Sequence, residues 1–258
     1  MDSTFNIVTI AVMIGAASGA IGSFVLLRRM ALVGDALSHV ALPGIALALA
    51  YGLDPFWGVF GFIVPAAALV WWLEGKTYLH PETLVGLLFT TSLAIGIMTI
   101  PQIEIVESLF GGFPRLPLAQ LVTMSTASAV LIAVTFLLAS RFILATVASD
   151  ICSPRFCRRS DLLILLIFAT IVSLGIKLVG TLLMGALTII PASIAQNTTR
   201  SLKQYMLLSS IIGGLVTAAG AYVSHRLGWM PGPTIVLFGS GLFVLSLGFS
   251  ARSRWSRS

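Results

Sequence analysis

Charged residues are scarce in this chain: Asp, Glu, Lys and Arg together make up 9% of its 258 residues. A water-soluble domain carries about a quarter. So few charges cannot wrap a core of this size in water, so most of the outer surface has to face lipid. Acidic residues are the rarer sign, 9 against 15 Lys and Arg, for a formal net charge of +6. The basic excess forms no patch. Lys and Arg stand singly or in pairs between apolar runs, which argues against a nucleic-acid surface and matches the marking of cytoplasmic loops in membrane proteins. Cysteine is nearly absent: Cys152 and Cys157 share one basic loop. They are a weak metal pair or, the reading adopted here, free thiols facing a reducing cytosol. No positive charge precedes the first apolar run, where Asp2 is the only early charge, and that run continues to Arg28. A cleaved secretory signal wants the opposite on both counts, so a retained span is expected. No soluble domain, linker or low-complexity tract interrupts the chain. Residues 1–258 are expected to form one transmembrane domain.

Apolar residues supply 57% of the sequence, and the mean hydropathy is +1.03. A membrane span needs about 20 apolar residues. Such runs occur at Phe5–Leu27, Met30–Leu53, Pro55–Leu73, Thr83–Ile100, Leu118–Ser140, Leu162–Ile176, Val179–Gln196, Tyr205–Ser224 and Thr234–Ser250. The sixth is short and the Gly175–Gly180 corner is ambiguous. The expectation is therefore an all-α, polytopic transmembrane helical bundle of eight to nine spans. With the Arg28-Arg29 turn in the cytoplasm and nine spans, 12 Lys and Arg fall inside and only Arg115, Lys177 and Arg226 outside. That bias places the N-terminus outside and the basic C-terminal tail inside. Trp57, Trp71, Trp72 and Trp229 fall at span ends as interfacial anchors. Gly15 with Gly19, and Gly213-Gly214 with Ala218 and Gly220, are small residues at spacings that let helices pack closely.

Asp35 and His39 break the rule that charge stays in loops. On a helix Asp35 lies about 9 Å beyond Arg29 and His39 about 15 Å beyond it, near the middle of a hydrocarbon core of about 30 Å. An ionisable group at that depth normally faces a partner or a water-filled path. The i, i+4 spacing puts both on one face. A carboxylate with an imidazole suits zinc, manganese or iron(II) better than magnesium or calcium. Two copies meeting at an axis would offer two of each, enough for a tetrahedral site. The competing reading is an intrahelical Asp–His hydrogen bond that only fixes packing.

Proline is expected to interrupt two spans, at Pro43-Gly44 just past His39 and at Pro191. Broken helices can line a transport cavity, although each can equally be an ordinary kink. The longest cytoplasmic connection, about 141–161, carries Asp150, Arg155, Arg158 and Arg159 among short apolar stretches. It is either a docking segment for a soluble partner or a solvated loop. His80 and His225 are loop histidines without an assigned role.

Arg28-Arg29-Met30-Ala31-Leu32-Val33-Gly34-Asp35-Ala36-Leu37-Ser38-His39, followed by Leu42-Pro43-Gly44, resembles the metal-ion permeases of ABC importers. Val179-Gly180-Thr181-Leu182-Leu183-Met184 with Pro191-Ala192 is a second similarity, and Pro231-Gly232-Pro233-Thr234 a looser third. The resemblance implies zinc, manganese or sometimes iron(II) as cargo, with no cofactor of the chain's own. It implies Asp35 and His39 along the metal path, and Pro43, Gly44 and Pro191 near it. It places the coupling to the ATPase around Asp150, Arg155 and Arg158, where the glycine usual in the family is missing. The implied partners are a cytoplasmic ATP-binding cassette subunit, an extracytoplasmic metal-binding protein and a second permease copy in a homodimer. The implied location is a bacterial-type inner membrane.

No Walker lysine motif occurs, so the chain is read as a non-enzymatic transporter subunit and ATP hydrolysis as the work of another chain. The alternatives are an ABC permease for a metal chelate or haem, and a stand-alone secondary metal carrier. A third, an intramembrane hydrolase pairing Ser38 or Ser18 with His39, is disfavoured because Ser38 and His39 point about 100° apart on a helix.

Overall fold

Proline and small polar residues mark where the helices begin. Asp54 caps one start, its carboxylate accepting from the Phe56 N–H at 2.8 Å with Pro55 in the first turn. Ser153 caps another ahead of Pro154, and Ser201 a third. Proline has no N–H to leave orphaned there, and the caps satisfy donors that a helix start leaves without an intrahelical partner.

The computed structural model describes residues 3–77, 81–99, 108–112, 118–147 and 153–248. Asp150, Cys152, His80 and the C-terminal arginines lie outside them. The helices are α1 (Ser3–Leu27), α2 (Ala31–Ala50), α3 (Pro55–Glu74), α4 (Pro81–Thr99), α5 (Leu118–Leu137), α6 (Ala139–Val147), α7 (Pro154–Val179), α8 (Thr181–Thr198), α9 (Leu202–Leu227) and α10 (Pro231–Gly248). No strand occurs among the described residues. The all-helical bundle expected from hydropathy is the one observed.

Against the eight to nine spans expected, 6 of the described helices are long and apolar enough to cross a membrane, and Gly34–Ala50 and Thr83–Thr99 are shorter apolar helices. Two expectations need correction. The connection at 141–161 is not one loop: α6 and the first turns of α7 occupy most of it, because Ser153 and Pro154 start α7 well before Leu162. Cys157 is disulfide-bonded rather than a free thiol.

α1 is the central post, packed against α9, α8, α5 and α7, while α2 packs against α3, α4 and α8. The α1–α9 contact is nearly backbone on backbone. A methyl group on Gly15 or Gly19 would collide with Gly213, Thr217 or Ser209 of α9, and Ser210 Oγ donates to the Ala16 carbonyl at 2.9 Å. Lipid supplies no hydrophobic drive between helices, so this close approach and its hydrogen bonds have to hold them. Gly180, with φ +84°, makes the corner between α7 and α8.

Many hydroxyls are turned back onto their own helices. Thr90, Thr99, Thr126, Thr135, Thr170, Ser173 and Thr188 each donate to the carbonyl four residues earlier. In an apolar medium each hydroxyl thereby finds its acceptor within its own helix.

Candidate functional site

α2 carries the expected pair, and its packing sets what each residue can do. Leu32, Asp35, His39, Pro43 and Ala46 share one helix face. Leu32 is 62% exposed and Asp35 half-buried, whereas every residue from Ala36 to Ala46 is buried. The face is therefore open at the end near Arg28 and covered beyond Asp35.

α8 comes against Asp35 through Gly185. A Cβ on Gly185 would lie 2.7 Å from Asp35 Oδ1 and 2.9 Å from its Cα, so only glycine permits this approach. His39 is 4% exposed, and its ring meets Phe89 of α4 edge to face at 4.7 Å. Its Nδ1 is buried without a hydrogen-bond partner among the described residues. A buried imidazole nitrogen left unpaired is costly. The Phe89 ring covers the His39 ring on the α4 side. Ser38 Oγ donates to the Gly34 carbonyl at 3.0 Å, which commits its proton to the backbone rather than to a dyad with His39.

Among the described residues no group of three or more His, Cys, Asp or Glu could hold a metal. Asp35 and His39 therefore stand as a pair, with no third such side chain grouped with them among the described residues.

The two prolines do not break their helices: α2 runs on through Pro43 and α8 through Pro191. Beside Pro43, Gly44 lets α2 sit directly on Gly58 of α3. Of the expected coupling residues, Arg155 is exposed. The Arg158 guanidinium lies 4.5 Å from the Trp71 ring centroid, and Trp71 Nε1 donates to the Arg158 carbonyl at 2.7 Å. Arg158 therefore ties α7 to α3.

Three relationships escaped sequence reasoning. Arg28 pairs with Asp161 of α7 at 2.7 Å, and its Nε donates to Thr146 Oγ1 of α6 at 3.2 Å. Gly185 and Phe89 enclose the α2 pair. At the far ends of the spans, Lys177 Nζ pairs with Asp54 at 2.7 Å. Burial works to raise the Asp54 pKa, but the hydrogen bond from Lys177, the Phe56 N–H and the Lys177 charge outweigh it and hold the carboxyl below its usual range. A charge inside or beside an apolar run was the only signal available for Asp161 and Asp54.

Residues 1–250 match the ABC 3 transport family. The chain belongs to that family. It is 29% identical over 258 residues to the manganese import system permease protein ScaB of Streptococcus gordonii, covering 97% of this chain and 92% of ScaB. It is 28% identical over 243 residues to the high-affinity zinc uptake system membrane protein ZnuB of Buchnera aphidicola (subsp. Schizaphis graminum), covering 91% and 93%. PsaBC from Streptococcus pneumoniae, solved in complex with Fab, superposes with a TM-score of 0.85 at 26% identity, over 99% of this chain and 94% of that one. This ABC 3 chain is accordingly a membrane transport protein with the helical architecture of an ABC permease.

Proposed function

We propose that this ABC 3 chain is the permease of an importer for a divalent transition metal, zinc or manganese, built as one transmembrane domain over residues 1–258. The observation that carries the reading is the placement of Asp35 and His39 on one face of an apolar helix, with the buried His39 Nδ1 unpaired. Names of relatives in manganese and zinc uptake support the same cargo class.

An external binding protein delivers the ion to the outer mouth, and two copies of the chain form the path. Asp35 and His39 of each copy are transient ligands, weak enough singly that the ion can leave again. The Arg28-Arg29 turn and the C-terminal tail are cytoplasmic and the N-terminus external. A separate ATPase docks on the α6–α7 segment, around Arg155 and the residues near Asp150.

The test is reconstitution with a candidate ATPase and binding protein, measuring zinc and manganese uptake by wild type, Asp35→Ala and His39→Ala. Uptake should require ATP and fall at least roughly tenfold in either variant, since each loses a ligand in a low-dielectric site. Metal transport by the permease alone would reject the reading.

A further inference from the structure

A cavity of about 330 Å³ lies between α3 and α5, floored by α7. One end is polar and coincides with three span ends: Asp54 before α3, Gln120 in the first turn of α5 and Lys177 in the last turn of α7. Lys177 Nζ donates to Asp54 Oδ2 at 3.0 Å, and Gln120 Nε2 lies 3.4 Å from the same oxygen. From there the wall descends along one face of α5 through Thr123, Met124 and Ala127, about 10 Å by helical rise.

The deeper wall offers little to water. Thr123 Oγ1 donates to the Gln120 carbonyl and Ser173 Oγ to the Ala169 carbonyl, so each hydroxyl is left as an acceptor only, and Leu174, Met124 and Ala127 beside them are apolar. A water needs two to four polar partners, and a space this large at the membrane perimeter does not stay empty. The surrounding solvent there is acyl chain. The polar end carries one cation and one anion that neutralise each other. A headgroup with net charge would leave one of them opposed, whereas a zwitterion matches both, phosphate beside Lys177 and ammonium beside Asp54. Trp57, 65% exposed at the rim, supplies the amphipathic ring that favours the headgroup level.

We propose that this cavity binds one zwitterionic phospholipid, its acyl chain between α3 and α5 and its head over the Asp54–Lys177 pair. Under the topology proposed above it belongs to the outer leaflet. The inference rests on the chain's being a membrane protein and not on its cargo, and its readout is lipid retention, so its failure leaves the transport reading standing and the reverse holds too.

The test is native mass spectrometry of the full-length chain in mild detergent with added phosphatidylethanolamine or phosphatidylglycerol. One phosphatidylethanolamine per chain should be retained, about tenfold over phosphatidylglycerol. Ala127→Phe, which fills the slot, should abolish retention, and Lys177→Gln should erase the headgroup preference. A phosphatidylethanolamine with a photoactivatable acyl chain, applied to wild-type membranes, gives a check free of any folding defect. Adducts should concentrate on Thr123, Met124 and Leu174. Retention unchanged in Ala127→Phe, no stoichiometric lipid on wild type, or adducts spread evenly over the exposed faces of α9 and α10 would each overturn the site, as would a second protein chain cross-linked in the slot.

Discussion

The Arg28 guanidinium stands 2.7 Å from the Asp161 carboxylate, the two side chains 17% and 23% exposed. Nη2 and Oδ1 make an ion pair without hydrogen-bond alignment, while Nε holds Thr146 of α6. Arg28 therefore clamps the turn that leads into α2 to both α6 and α7. Asp161→Asn or Arg28→Gln would leave a charged partner half-buried and unmatched, at a cost of about 2 kcal/mol. Thermal unfolding in detergent should show a lower Tm for either variant and partial recovery for Arg28→Asp combined with Asp161→Arg. No recovery in the swap would mean that the charges are not what matters.

Gly185 governs how close α8 comes to Asp35. Gly185→Ala puts a methyl group into the Asp35 side chain and backbone, so α2 and α8 must part by a few tenths of an ångström or more. On the proposed function Asp35 is a ligand, and displacing it is expected to lower metal uptake on the order of tenfold, with the purified protein still monodisperse. Normal uptake in Gly185→Ala would mean that this contact does not set the ligand position.

The Asp54–Lys177 pair predicts an acid dependence. The Asp54 carboxyl is held below its ordinary range in the folded chain. Folding thus gains from the pair above the unfolded carboxylate pKa of about 4 and loses that gain as pH falls through the folded value. Asp54→Asn should shrink the difference in Tm between pH 7 and pH 3. An unchanged difference would place the acid sensitivity elsewhere. Because Asp54 is partly exposed, solvent screening keeps the effect small.

Close packing of α1 on α9 is the bundle's most exacting contact. Gly19→Leu drives a side chain into the Ser209 backbone and should cost about 3 kcal/mol or more through overpacking, read as loss of the monodisperse peak in size exclusion. Gly241→Leu on α10 meets open space and serves as the control that keeps the peak. Equal behaviour of the two variants would contradict the account of α1.

Hydropathy located the helices because lipid contact and burial both select the same apolar residues. Phe5–Leu27, for instance, became α1 with its end unchanged. It could not locate what joins them. Arg28 was legible only as a cytoplasmic marker, since its partner Asp161 is 133 residues further on. Asp35 and His39 were legible as an ionisable pair on one face of an apolar helix, because charge inside an apolar run stands out; that Phe89 covers His39 was not, because an aromatic on an apolar helix gives no hint of what it faces. The expected interruptions at Pro43 and Pro191 failed for a related reason. A proline's missing donor says that a helix can bend, but neighbouring packing decides whether it ends. The start of α7 was missed because a polar first turn resembles a loop until its Ser153 cap is recognised.

The hydroxyls turned back on their own helices bear on what they can still offer a neighbour. Thr90, Thr135 and Thr188 spend their protons on backbone carbonyls, so each oxygen keeps its lone pairs and faces its surroundings as an acceptor only. Hydroxyls held this way have nothing to give an anion, whereas their oxygens stay open to a cation shedding its waters.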